Sequence, residues 1–267
     1  MKHVLLRVHI VVVGFEIDRI SLAAIQQKAD RVYLISQKKN DQGQPYLEEN
    51  KRILEENRIE VNVETIDDVR NITDILHKIR EIIEKEKNNQ IYINISSGSN
   101  LSAIAGTISS MMYNKYQITP YYVKPEKYLE CKNREEEKYK NFPQLQTAGI
   151  KEIIEVIIFP AQLPNLQLIE VLKYLKKQKG GQVRKKELIN YIIENPNLFP
   201  NYIKDKNPSK AKTSPKDLER AKDYAWVNQN IVNKLKNEWK MVEIEMIGKY
   251  SYIKLTKRGE DMLGYLI

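Results

Sequence analysis

The sequence predicts an α/β protein, with a Rossmann-like parallel sheet domain followed by a mainly α winged helix-turn-helix domain. Three observations predict it. Strand and helix patterns alternate strictly through the first half. Three helix patterns, an alternating hairpin and a short closing helix fill the last hundred or so residues. The charge also divides with the pattern. Of 267 residues, 44 are Lys or Arg and 35 are Asp or Glu. Residues 1–164 hold 23 of each and are neutral, whereas residues 165–267 hold 21 against 12 and carry the whole net charge of +9. A neutral module joined to a basic one is the asymmetry expected where one part meets a polyanion. The boundaries follow as 1–158, a linker over 159–164, and 165–267.

Leu5–Val13 is a near-continuous β-branched run, as a strand covered on both faces requires. A helix follows to about Lys28, and Arg31–Ile35 is the second strand. Pro45 opens a helix to Asn57, and Ile59–Glu64 is the third strand. Asn71 caps the next helix, whose Ile72, Ile75, Leu76, Ile79, Ile82 and Ile83 form one apolar stripe. Ile91–Ile95 is the fourth strand. Leu101–Tyr116, rich in Ala, Gly and Ser, is a helix able to lie close against the sheet. Pro120–Val123 is the fifth strand, and Lys151–Ile158 reads as either a strand or a connecting helix.

Several classes fall away. The lone Cys131 excludes a disulfide framework and a Cys-based zinc site, and suits a reducing cytoplasm. Arg7 and His9 interrupt the apolar N-terminus, so it is not a signal peptide. The uncharged stretch Asn88–Asn114 is long enough to cross a bilayer. Its Asn and Ser residues with Gly98 and Gly106 make it buried core instead, and no membrane association is expected. His3, His9 and His77 share no ligand spacing, so no metal is expected. Neither GxxxxGK[ST] nor GxGxxG is present, and no nucleophile–base arrangement suggests a catalytic residue.

Ligands bind such sheets at the carboxyl ends of strands where the strand order reverses. Two loops qualify: Gly14-Phe15-Glu16-Ile17-Asp18-Arg19 after the first strand, and Ser96-Ser97-Gly98-Ser99-Asn100 after the fourth. The second runs into a helix N-terminus, where backbone N–H groups favour anions. Capping by the serines and anion binding are both open to it. Glu16, Asp18 and Arg19 either orient a ligand or pair within a charged loop. Tyr121 and Tyr122 either stack on a base or are half-buried strand residues, and Glu135-Glu136-Glu137 reads as a solvated helix face.

In the second half, Asn165 caps a helix lined by Leu168, Leu172 and Leu175, which Gly180-Gly181 stops. A second helix buries Leu188, Ile189, Ile192 and Ile193. After a polar loop over Asn195–Ser214, Ser214-Pro215 opens a long third helix with Leu218, Ala221, Ala225, Val232, Leu235 and Trp239 inward. Val242, Ile244 and Met246 alternate with acids, turn at Gly248-Lys249 and return over Tyr250–Leu255 as a wing. In such a domain the third helix enters the major groove and the wing touches backbone or minor groove. Asn228, Gln229, Asn230 and Lys234, with Lys216, Arg220 and Lys222, are the candidate readers. Lys185, Lys186, Lys212 and the wing's Lys249 are candidate phosphate contacts. A bland alternative is that the lysines only keep the chain soluble, or that the winged helix docks protein.

The segments VHIVVVGFEIDRI, ADRVYLI and IYINISSGSNLSAIAG, with PYYVKPEKY, resemble archaeal CARF-domain proteins (the CRISPR-associated Rossmann fold), of the group that carries a C-terminal winged helix-turn-helix. The resemblance covers residues 1 to about 130 by motif, and the remainder by domain type. It implies a homodimer that senses a cyclic oligoadenylate, cyclic tetra-adenylate first, across its two-fold axis as a regulatory ligand rather than a cofactor, and that binds operator DNA as a transcriptional regulator linked to CRISPR defence. It also implies that Gly14 to Arg19 and Ser96 to Asn100 line the pocket. Many members place a cation where this chain has Asn100, so ligand sensing is expected ahead of the alternative, a ring nuclease whose basic domain serves only for recruitment.

Overall fold

The computed structural model describes residues 4–38, 42–129, 141–204 and 215–266, with side chains left out at 203, 204, 215–220 and 266. Two compact units divide the chain, Met1–Gln162 and Leu163–Ile267, and the break falls in the segment read as linker.

The first unit runs β1 (Arg7–Val12), α1 (Ser21–Gln26), β2 (Arg31–Gln37), α2 (Gln44–Glu56), β3 (Glu60–Ile66), α3 (Ile72–Lys85), β4 (Gln90–Asn94), α4 (Asn100–Met112) and β5 (Ile118–Lys124). A two-stranded ribbon of β6 (Lys127–Tyr128) and β7 (Thr147–Ala148) follows, then β8 (Glu152–Glu155). The sheet order is β3-β2-β1-β4-β5-β8, parallel except for β8, which pairs antiparallel with β5 at the edge. Of the two forms left open for residues 151–158, the strand is the one adopted. The central β1 is buried on both faces, with Val8 and Ile10 inaccessible, as its near-continuous β-branched run requires.

Local signals account for the connections. The Asn71 side chain accepts the Thr73 N–H at 3.0 Å and caps α3. On α4, a Cβ at Gly106 would meet the Ile93 methyl at 2.9 Å, so the small residues of this helix let it lie directly on β4. His9 is the exception among strand residues. It is buried, stacked on Tyr92 with ring centroids 4.9 Å apart, and shares a 2.9 Å hydrogen bond with the Tyr121 hydroxyl. Desolvation holds its imidazole down at about 3, so it is a neutral core residue.

The second unit contains α5 (Leu166–Lys177), β9 (Gln182–Arg184), α6 (Lys185–Glu194), α7 (Pro200–Lys204), α8 (Pro215–Val227), β10 (Val242–Ile247), β11 (Tyr250–Leu255) and α9 (Lys257–Leu266). Asn165 caps α5 by accepting the Leu168 N–H at 3.0 Å. Gly180 and Gly181 end its turn at φ +70° and +64°, which glycine adopts without strain. The order β10-β11-β9 is an antiparallel wing sheet, and β9 and α7 went unread in the sequence. The core gathers Leu172, Leu175, Leu188, Ile192, Val227, Ile231, Leu235 and Ile253.

The third helix departs from its expected register. Beyond α8 it continues as two π turns, Asn228–Val232 and Lys234–Glu238. A π turn admits an extra residue, which lets Ile231 and Val232 both face inward. Ala221 and Ala225, expected inward, are exposed instead, and Asp223 and Val227 occupy the core side. Ser214 lies outside the described residues, as does the side chain of Leu218.

Candidate functional site

Strand order reverses between β1 and β4, and a cleft of about 580 Å³ opens at their carboxyl ends. It is lined by the end of β1, Gln37 at the end of β2, Gln42 and Gly43 just before α2, Val69 and Arg70 beyond β3, and the loop before α4. The two loops singled out in the sequence meet here backbone to backbone. The Gly14 N–H donates to Ser97 Oγ at 3.0 Å, and a Cβ on Gly14 would sit 2.6 Å from Gly98 N. Gly98, at φ +79°, would in turn press a Cβ to 2.7 Å from Ser102 Oγ. Glycine is needed at both positions by close approach, and at the second by dihedral as well.

The serines are engaged in holding the loop. Ser99 Oγ accepts the Ser102 N–H at 3.3 Å while Ser102 Oγ accepts the Ser99 N–H at 3.2 Å, a capping box on α4. Ser96 Oγ accepts the Val123 N–H at 2.5 Å, tying the loop to β5. Capping, one of the two readings of this motif, is therefore realised. For the other reading, an anion at the same place would have the N–H groups of the α4 N-terminus outside the capping box and the macrodipole. Ser96, Gly98 and Ser99 line the cleft, whereas Ser97 is buried behind it and Asn100 lies outside the lining.

The Gly14–Arg19 loop is likewise a buried node more than a row of ligand contacts. Arg19 lies 3.1 Å from Glu16 and donates through Nε to the Val123 carbonyl at 2.8 Å, while its guanidinium covers the Tyr122 ring at 5.0 Å. Glu16 also accepts the Thr147 hydroxyl at 2.5 Å, and its carbonyl accepts from Asn50 Nδ2 at 2.8 Å. Burial pushes the Glu16 carboxyl up, against the opposing pull of Thr147 and Arg19. Asp18 accepts the Gly149 N–H at 2.7 Å, and Ile17 packs in the core. Only Gly14, Phe15 and Glu16 of this loop reach the cleft; Ile17, Asp18 and Arg19 support it from behind. Tyr121 is buried against His9, and Tyr122 lies under Arg19.

The remaining cleft residues went unread: Gln37, Gln42, Gly43, Val69, Arg70 and Gln146. The glutamines bring side-chain amides, of which the Gln42 Oε1 already accepts from Gln144 Nε2 at 2.8 Å. For all but Gln146 the signal was topological rather than a motif: the segments at the end of β2 and beyond β3 share the carboxyl edge with the loops beyond β1 and β4.

In the second unit, Lys185 and Lys186 open α6. The Lys185 ammonium lies 5.9 Å from the Tyr224 ring centre and desolvation lowers its pKa, whereas Lys186 is exposed. Lys249 stands at the exposed wing tip over Tyr250. Beside it, Arg184 donates to the Tyr252 hydroxyl at 2.8 Å and covers Tyr250 at 4.3 Å, a cation that was not singled out. Gln229 is exposed; Lys222, Asn228, Asn230 and Lys234 are half-buried, and the Asn230 amide donates back to the Trp226 carbonyl. The side chains of Lys216 and Arg220 and all of Lys212 lie outside the described residues, as do His3, Cys131 and Glu135-Glu136-Glu137. Among the described residues no group of His, Cys, Asp or Glu is placed to hold a metal, and no helix is long and apolar enough to cross a membrane.

The fold joins a Rossmann-like domain, with a cleft at its switch point, to a C-terminal winged helix domain. Residues 7–128 match the family described as HFX_2341_N-like, N-terminal, and residues 167–266 match the DUF6293 C-terminal winged helix domain. The uncharacterized protein MJ1513 of Methanocaldococcus jannaschii is 29% identical across 97% of this chain and 96% of its own. Two solved structures are more distant. Enterococcus italicus Csm6 bound to cyclic hexa-2'-fluoro-hexa-dAMP aligns with 87% of this chain and 58% of its own, at 13% identity and TM-score 0.41. Can2 from Sulfobacillus thermosulfidooxidans in complex with cyclic tetra-adenylate aligns with 97% and 63%, at 10% identity and TM-score 0.40. The chain spans about three fifths of the length of these two proteins.

Proposed function

We propose that the protein is a ligand-responsive, DNA-binding transcriptional regulator acting in CRISPR defence. Its first domain senses a cyclic oligoadenylate, with cyclic tetra-adenylate the first ring to test, and its winged helix binds operator DNA. The observation that carries this reading is the cleft at the β1/β4 switch point, where the start of α4 offers an anion its backbone N–H groups. The motif resemblance supplies the messenger and the dimer: two copies place their clefts about a two-fold axis, and a palindromic operator matches that symmetry. Sensing is favoured over cleavage because the Ser96, Ser97 and Ser99 hydroxyls are engaged in loop bonds and Asn100 adds no charge. Ligand shifts the population between arrangements of the two winged helices, so ligand and DNA alter each other's affinity by one common factor.

Calorimetric titration of the full chain with cyclic tetra-adenylate, repeated with its own promoter DNA present, tests the reading. One ring bound per dimer, left intact on prolonged incubation and with an affinity altered by DNA, is the expected result. Steady conversion to linear products would replace the sensor by a ring nuclease. DNA binding without heat from any ring size would detach the cleft from this messenger.

A further inference from the structure

Charge is sparse in the cleft. Among its described lining residues Glu16 is the single acid and Arg70 the single cation. Glu16 is answered from behind the wall by Arg19. Arg70 stands in the turn between β3 and α3, exposed, and among the described residues its one ion pair is local: Arg70 Nε lies 3.2 Å from Asp68 Oδ1. That same oxygen accepts the Arg70 backbone N–H at 2.9 Å, and this bond is the chief reason the Asp68 carboxyl sits below its usual range. Asp68 is therefore satisfied by backbone without the guanidinium. Because the pair uses Nε, both Nη groups are left for the forked contact that arginine makes with phosphate. Exposed pairs of this kind contribute little to stability, so exchanging this one costs little.

We infer that Arg70 is the phosphate-binding cation of the cleft, moving from Asp68 to an internucleotide phosphate of the bound ligand. The inference rests on the messenger reading above and deepens it. Asn100, at the head of α4, brings no charge; Arg70 brings it from the β3 side of the same carboxyl edge.

The test is calorimetry of the full chain with cyclic tetra-adenylate and, as a second probe, linear tri-adenylate, each at two salt concentrations. Arg70→Ala is expected to weaken ring binding about 10- to 100-fold, the equivalent of one charge-assisted contact, and to flatten its salt dependence. Arg70→Lys keeps the charge without the fork and should fall between. Asp68→Asn removes the competing carboxylate and should tighten binding several-fold. Parent-like affinity and salt dependence in Arg70→Ala would overturn the assignment. A parent that ignores the ring yet binds the linear probe through Arg70 would overturn the messenger and keep the cation. A parent that binds neither probe would overturn both.

Discussion

Arg19→Met keeps an unbranched stem in the wall of the cleft and removes the guanidinium. Three interactions go with it: the 3.1 Å ion pair with Glu16, the 2.8 Å bond to the Val123 carbonyl, and the contact with the Tyr122 ring. Glu16, 2% exposed, keeps the Thr147 hydroxyl and loses its counter-charge. Stranding one partner of a buried pair costs about 3–5 kcal/mol at neutral pH. Protonation limits that cost. Burial already raises the Glu16 pKa above its ordinary 4.5, and without Arg19 it rises further. An acid whose folded pKa exceeds its unfolded value favours the protonated native state. The deficit is thus complete above the raised pKa and shrinks, by about 1.4 kcal/mol per pH unit, as pH falls through it towards 4.5. Urea unfolding followed by far-UV circular dichroism at pH 7.5 and pH 5 measures it. Trp226 and Trp239 are the two tryptophans of the chain and both lie in the second unit, so their emission is an internal reference for the other domain. The double variant Glu16→Gln/Arg19→Met should recover a large part of the loss. An equal deficit at both pH values, together with a double variant no more stable than the single one, would refute the coupling.

Gly14→Ala places a methyl against Gly98 N and Cα at 2.6 and 2.8 Å, backbone that has no flexible end to yield. We expect a stability loss of about 1–3 kcal/mol and at least a tenfold loss of ligand affinity, and an unchanged binding isotherm would separate the loop contact from the cleft. Lys186→Ala and Lys249→Ala should each weaken DNA binding alike across sequences and lower the salt slope by about one, read by fluorescence anisotropy from low to moderate salt. Gln229→Ala should instead relax preference at one base position, and unchanged slopes in both lysine variants would remove DNA from this face.

The fold was legible because its signals are repetitive. The near-continuous β-branched run at Leu5–Val13 and the Ile-rich segment Ile91–Ile95 suit strands in a covered sheet, and the Ile72–Ile83 stripe has one helical solution. Non-repetitive geometry escaped. The three-residue β9 gives no periodicity, and the π turns break the 3.6-residue count that put Ala221 and Ala225 inward. Within the site, the glycines and the α4 N-terminus were legible because turn and cap chemistry is local. Which side of the wall Glu16 and Arg19 occupy was not, since it depends on Val123 and Thr147, 104 and 131 residues away along the chain. Gln37, Gln42, Arg70 and Gln146 were missed for the same reason: no motif marks a residue whose role comes from sharing a sheet edge.

This distribution of roles bears on how one chain would keep apart the two polyanions of the proposed function. The two loops singled out in the sequence spend their charges and hydroxyls internally, on Glu16–Arg19, Asp18–Gly149 N and Ser99–Ser102. The described lining of the cleft is consequently near neutral, and under the proposed function an anion there would be held by short-range N–H groups and one arginine. Duplex DNA is drawn by accumulated positive charge over a long reach, and that charge lies in the second half, with 21 basic residues against 12 acidic. A compact anion that fits the cleft meets directional donors; a duplex too wide for it finds no field there to hold it. The salt dependence of the two affinities should accordingly differ, steep for DNA and shallow for the small ligand. Equal slopes in parallel titrations would mean that one surface serves both.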